Sequence, residues 1–105
     1  MITVSETQTF IRSTGFWTDE ERSEFIDWIA ANPDAGDLIV GSGGLRKVRW
    51  RRKGMGKSGG ARIITYYVSC DGLVWLLIGY TKAKFDNLST EFLTQIRKEI
   101  DHGRS

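Results

Sequence analysis

The chain has 105 residues, of which 27% are charged, as is typical of a single globular domain rather than a disordered or fibrous protein. One cysteine excludes an internal disulfide, no apolar run reaches the roughly 20 residues of a membrane span, and the first residues lack the features of a secretion signal, so we expect a soluble, cytoplasmic protein. The net charge of +2 combines −6 in residues 1–37, +8 in residues 38–70 and zero in residues 71–105.

The first third of the chain predicts a short strand and one amphipathic helix. Ile2–Ser5 alternates weakly, as a strand at a sheet edge does. Thr18, followed three residues later by Glu21, is a capping-box pattern that opens a helix, and Pro33 ends it. The apolar stripe of this helix consists of Phe25, Ile26, Trp28 and Ile29. The segment formed by residues 34–40 is short, and we expect at most one helical turn there.

The rest of the chain predicts three antiparallel strands and a second helix. The strands are Leu45–Lys53, Arg62–Val68 and Leu73–Tyr80, and Asp71-Gly72 signals the hairpin between the last two. The third strand is apolar on both faces, which places it inside the sheet. Ser89 then caps a helix that ends near Gly103. We therefore predict one α+β domain over residues 1–105, with helices before and after a central meander.

The first strand of the meander is strongly basic. Alternation places Lys47, Arg49 and Arg51 on one face, while Arg46 and Arg52 share the other face with apolar side chains. A few charges on a strand can serve only to protect a sheet edge from aggregation. Because the cations here exceed that need, we interpret the strand as an RNA-binding surface.

A glycine-rich loop joins this strand to the next. Gly56-Lys57-Ser58 resembles part of a Walker A motif, but Arg51 stands where that motif needs a glycine, and a strand rather than a helix follows. We therefore reject nucleoside triphosphate binding. The loop can hold a phosphate through backbone N–H groups and Lys57, or it can be a solvated hairpin loop.

Several kinds of chemistry have no residues to support them. The one histidine is His102, near the end of the chain, and no metal-ligand cluster or Ser-His-Asp arrangement is apparent. If the protein cleaves RNA, it does so with lysine, arginine and tyrosine. Arginine can stabilise a pentacoordinate phosphate, and the RNA 2′-hydroxyl supplies the nucleophile. We expect no metal and no other cofactor.

Several blocks of sequence, in this order, resemble the HigB-type branch of the RelE toxin family. They are Gly44–Lys47, Gly56–Ile64, Tyr66–Tyr67, Leu77–Lys82 and Leu88–Ser89. The resemblance implies a RelE-like fold and a type II toxin that cleaves mRNA on the ribosome and inhibits translation. It also implies a cognate protein antitoxin, HigA-like and carrying a helix-turn-helix.

Carried over position by position, the family's basic site falls on Lys57 and Arg62, with Lys82 in its second cationic cluster. The resemblance implies that Arg62 stabilises the transition state and that Lys57 or Lys82 transfers protons. Some relatives place a catalytic tyrosine in the C-terminal segment, whereas this chain has none after Tyr80. Tyr80 is the expected substitute, although its strand position is equally compatible with burial.

The other cations are expected to bind RNA or the ribosome. They are Arg46, Lys47, Arg49, Arg51 and Lys84. The alternative function is a non-catalytic RNA- or protein-binding module that uses the same basic strand. Composition does not separate the two functions.

Overall fold

A computed structural model describes residues 2–51, 60–82 and 85–103 of the protein. In chain order, its elements are β1 (Thr3–Glu6), α1 (Gln8–Ser13), α2 (Asp19–Ala31), β2 (Asp37–Leu38), β3 (Arg46–Trp50), β4 (Ala61–Val68), β5 (Leu73–Tyr80) and α3 (Thr90–Gly103). The strands form one sheet in the order β1-β5-β4-β3-β2. The glycine-rich loop of the sequence lies outside the described residues.

The predicted meander is confirmed, as is the α+β fold class. Strands β3, β4 and β5 pair antiparallel, and β1 lies parallel to β5 at one edge of the sheet. Residues 34–40, for which the sequence predicted at most one helical turn, contain a short strand, because Asp37 and Leu38 pair with β3 and extend the sheet. Gly36, with φ of +93°, turns the chain into this strand, and a Cβ there would lie 2.6 Å from the Lys47 carbonyl oxygen.

Hydrophobic cores lie on both faces of the sheet. The core beneath α1 and α2 includes Phe10, Phe25, Ile29, Val48, Ile63, Val74 and Leu76. The core beneath α3 includes Leu45, Ile64, Leu77, Leu93, Ile96 and Ile100. Because β4 and β5 are covered on both sides, their sequences are apolar on both faces. No helix within the described ranges is long and apolar enough to cross a membrane.

Side-chain caps begin both predicted helices. The Glu21 backbone N–H donates to Thr18 Oγ1 over 3.1 Å, and the Phe92 N–H donates to Ser89 Oγ over 3.1 Å. These bonds satisfy backbone donors that the first helical turn leaves unpaired. Trp28, expected to face the core, is 36% exposed and packs against Trp50 with ring centroids 5.5 Å apart.

Helix α1, which the sequence did not predict, completes the edge of β5. Strand β1 ends opposite Leu76, and the Thr7 hydroxyl donates to the carbonyl oxygens of Leu76 and Leu77, each at 3.1 Å. Leu77 is the extra residue of a bulge, because Ile64 pairs with Ile78 while the next residue pairs with Leu76. The helix thus covers the part of β5 that leads to Tyr80.

Helix α3 also fixes the loop that leads into β3. The Arg97 guanidinium lies over the Tyr66 ring, 4.7 Å from its centroid, and donates to the Gly43 carbonyl oxygen. Gly43 has a φ of +76°, and a Cβ at this residue would collide with Arg97. These contacts hold the start of β3, and therefore its basic side chains, in place against the sheet.

Candidate functional site

Strand register places three predicted site residues in one row across the sheet. Arg49 pairs with Arg62, and Arg62 pairs with Tyr80. Residues directly opposite each other on neighbouring strands point to the same face. The row lies on the α3 side, because Tyr80 belongs to that core. Two arginines and a tyrosine from three strands are therefore brought together.

Arg49 and Tyr80, the two ends of the row, line a cleft of about 400 Å3, here called the basic cleft. It is lined by residues 37–40, by Lys47 and Arg49 of β3, by Tyr80 of β5 and by Asp86 before α3. Arg49 is exposed. Lys47 is half-buried, and its Nζ lies 3.5 Å from the Asp86 carbonyl oxygen. The basic cleft thus offers cations from β3 to a ligand in solvent.

Asp86 is the member of the site that sequence reasoning missed. Its Oδ1 lies 3.2 Å from Arg62 Nε, and the two side chains are 23% and 13% exposed, respectively. Arg62 also donates from Nη1 to the Gly60 carbonyl oxygen over 3.3 Å. No sequence motif marks Asp86, because only the tertiary fold brings it close to Lys47 of the basic strand. The Asp86 carboxylate is therefore paired with Arg62, the arginine that we expect to stabilise the phosphate.

Tyr80 is buried, with 8% of its surface exposed. Burial first, and the adjacent Asp86 carboxylate second, raise the pKa of its hydroxyl to about 12, with Arg62 and Arg49 offsetting part of the effect. The hydroxyl is therefore protonated at neutral pH. The Tyr80 hydroxyl, Arg62 Nε and Asp86 Oδ1 are all buried, and none forms a well-aligned hydrogen bond within the described part of the chain. Because these three groups lack well-aligned partners, Arg62 and Tyr80 can form new hydrogen bonds to an anion that enters the site.

The remaining predicted residues are dispersed. Arg46 points to the opposite face from Arg49, and its Nη1 donates to the Gly36 carbonyl oxygen over 3.1 Å. Arg51 follows β3 and Lys82 follows β5, and both are exposed. The structure does not place these three side chains in the row. Two further predicted residues, Lys57 and Lys84, lie outside the described ranges.

Comparison with known proteins identifies the fold. No protein-family model matches the chain. Its structure is similar to that of the E. coli toxin RelE in the free state, solved as a double arginine-to-alanine variant. The match covers 93% of this chain and 92% of that one, with a TM-score of 0.57 and 11% sequence identity.

The chain has a RelE-like fold. The expectation drawn from the sequence blocks is therefore confirmed at the level of architecture. At this sequence identity the likeness concerns the fold alone, since one fold can serve many functions.

Proposed function

We propose that the protein is an endoribonuclease toxin that cleaves mRNA on the ribosome and is neutralised by a protein antitoxin. The observation that carries the proposal is the row of Arg49, Arg62 and Tyr80 along the basic cleft of a RelE-like fold. Two permanent cations beside a protonated hydroxyl suit a phosphodiester that gains charge during cleavage.

Substrate binding in this proposal begins with exchange at Arg62. In the free protein its Nε faces the Asp86 carboxylate at 3.2 Å. An RNA phosphate has the same charge and acceptor atoms, so it can replace the carboxylate on the guanidinium. Arg49 and Lys47 at the wall of the basic cleft then neutralise neighbouring phosphates.

The proposed reaction uses the nucleophile that RNA itself carries. The 2′-oxygen attacks the adjacent phosphorus and gives its proton to a base, for which Lys57 and Lys82 are the candidates. The bond from phosphorus to the 5′-oxygen breaks, and that oxygen takes up a proton, leaving a 2′,3′-cyclic phosphate and a 5′-hydroxyl. The Tyr80 hydroxyl, which holds its proton at neutral pH, is the proposed source of that proton. DNA lacks the 2′-hydroxyl and is not cut by this route.

The proposed antitoxin follows from the resemblance, and the rim of the basic cleft supports it. Leu38 and Val40 line the cleft and are 60% and 97% exposed. Apolar side chains beside a cationic cleft suit a protein partner that buries the former and neutralises the latter. We propose that this partner is HigA-like and that both proteins act in the cytoplasm.

The test is inducible expression in a bacterial host, comparing wild type with Arg62→Ala by primer extension on a reporter mRNA. We expect growth arrest and discrete cuts inside translated codons for wild type, and neither for Arg62→Ala. Arg12→Ala is the matched control, since it removes an exposed arginine from α1. It should arrest growth and cut as wild type does.

Other outcomes identify other functions. Arrest without cuts would indicate a ribosome-blocking binder, which is the non-catalytic alternative. A toxic, cutting Arg62→Ala protein would remove Arg62 from the site. Because Arg62 is paired with Asp86, the double variant Arg62→Ala/Asp86→Asn, with its folding checked by circular dichroism, separates lost chemistry from lost stability.

A further inference from the structure

A second cleft of about 400 Å3 adjoins the basic cleft, and we call it the apolar groove. It shares Tyr80, Asn87 and Leu88 with the basic cleft. Its other walls include Ile78, Phe85 and Phe92. A cationic cleft and an aromatic groove therefore meet along one wall.

Phe85 is the large exposed side chain of this groove. It is 45% exposed, and its ring meets Tyr80 edge to face, with centroids 6.1 Å apart and an interplanar angle of 87°. The Phe85 backbone N–H donates to the Lys82 carbonyl oxygen over 3.0 Å, and this bond ties Phe85 to the end of β5. An aromatic ring held partly in solvent against the site tyrosine offers a surface for stacking.

We propose that the apolar groove binds the nucleobase next to the phosphate that occupies the basic cleft. A nucleotide joins an anionic phosphate to a flat base with apolar faces and a polar edge, and the two adjoining clefts match that combination. Phe85 would stack on the base, and the exposed amide of Asn87 on the shared wall would meet its polar edge. The inference rests on the proposed RNA-directed function, because the phosphate fixes where the base lies.

The experiment measures binding of two short single-stranded probes to the full chain by fluorescence anisotropy. One probe is a 2′-fluoro RNA, which lacks the attacking hydroxyl, and the other is a fully abasic strand of the same length. Phe85→Ala should weaken binding of the base-containing probe about tenfold and leave the abasic probe unchanged. Phe85→Trp should keep the preference for bases. Ile11→Ala, which removes an apolar side chain 50% exposed on α1, is the control and should change neither affinity.

Arg49→Ala distinguishes failure of this inference from failure of the proposed function. This substitution should weaken binding of both probes equally, since both carry phosphates. If it does so while Phe85→Ala affects both probes equally or neither, the base subsite is wrong and the groove is left to an apolar side chain of a protein partner. If Arg49→Ala changes neither affinity, the RNA-binding role of the basic cleft is wrong, and the subsite with it.

Discussion

Arg62 and Asp86 form an ion pair beside the basic cleft, with Nε 3.2 Å from Oδ1. Both side chains are largely buried, so each charge depends on the other for compensation. The same carboxylate helps to keep Tyr80 protonated. Asp86 therefore links two properties of the site, the availability of Arg62 to an anion and the acidity of Tyr80.

Asp86→Asn is expected to increase affinity for an uncleavable RNA severalfold, because the amide no longer competes with phosphate for Arg62. The same change should lower the pKa of Tyr80, since the Asp86 charge raises it. Anisotropy titrations at fixed salt measure the affinity, and NMR of the tyrosine Cζ carbons follows the hydroxyl.

Asp37→Asn is the matched control for this variant. Asp37 is exposed and lines the same cleft, so its replacement removes an equal charge without touching the ion pair. We expect a smaller gain in affinity and a smaller change at Tyr80. Equal effects of the two variants would show that Asp86 acts only through its general charge.

The raised pKa of Tyr80 predicts a specific loss of stability at alkaline pH. The folded chain holds this proton more tightly than the unfolded chain, whose tyrosine has a pKa of about 10. Its contribution is therefore complete below pH 10 and is lost as the pH rises from 10 to about 12. The loss is at most about 2 to 3 kcal/mol, reduced by any solvent that reaches the hydroxyl.

Tyr80→Phe should remove that part of the decline. Urea unfolding at pH 9 and pH 11 measures the free energy of unfolding of both proteins, and the difference between them should shrink or reverse at the higher pH. Tyr67→Phe, on the same sheet, controls for loss of a tyrosine hydroxyl. Parallel declines in wild type and Tyr80→Phe would contradict the assigned environment of Tyr80.

The elements that the sequence predicted are those whose signals are local. The caps at Thr18 and Ser89 and the alternation along β3 depend on neighbours within a few residues. Helix α1 has only six residues, and its position depends on contacts with β5, such as the Gly79 N–H that donates to Ser13 Oγ over 2.9 Å. Those partners are 66 positions apart, so no local pattern reveals them.

The candidate site was predictable only in its parts. Charge and alternation placed Arg49 on a cationic face, and the family resemblance singled out Arg62 and Tyr80. Their arrangement in one row depends on the pairing register across two hairpins, which the sequence leaves open. Asp86 reaches the row only through the tertiary fold, so its spacing in the sequence does not reveal it.

Thr7→Val tests the connection between α1 and the bulged part of β5. It removes the hydroxyl that donates to the Leu76 and Leu77 carbonyl oxygens and accepts from the Phe10 N–H. Thr7 is only 6% exposed, so these backbone groups lose a partner that water cannot readily replace. We expect a loss of about 1 to 3 kcal/mol in the free energy of unfolding, measured in urea.

Thr3→Val is the control for this substitution. Thr3 is an exposed residue of β1, and a β-branched apolar side chain suits its strand. Its replacement should change stability by less than about 0.5 kcal/mol, the usual range for surface positions. If both variants unfold at the same urea concentration, the Thr7 hydroxyl does not stabilise the bulge.

The salt dependence of RNA binding tests whether the basic cleft contacts phosphates. Arg49 is exposed at its wall, so Arg49→Ala should remove a phosphate contact without disturbing the core. Each lost contact lowers the slope of log affinity against log salt by about 0.7 for a single strand. Anisotropy titrations of an uncleavable RNA over a series of salt concentrations give that slope for each protein. Arg12→Ala, which removes an equal charge from α1, should leave the slope unchanged. Equal slopes for wild type and Arg49→Ala would mean that RNA does not enter the basic cleft along β3.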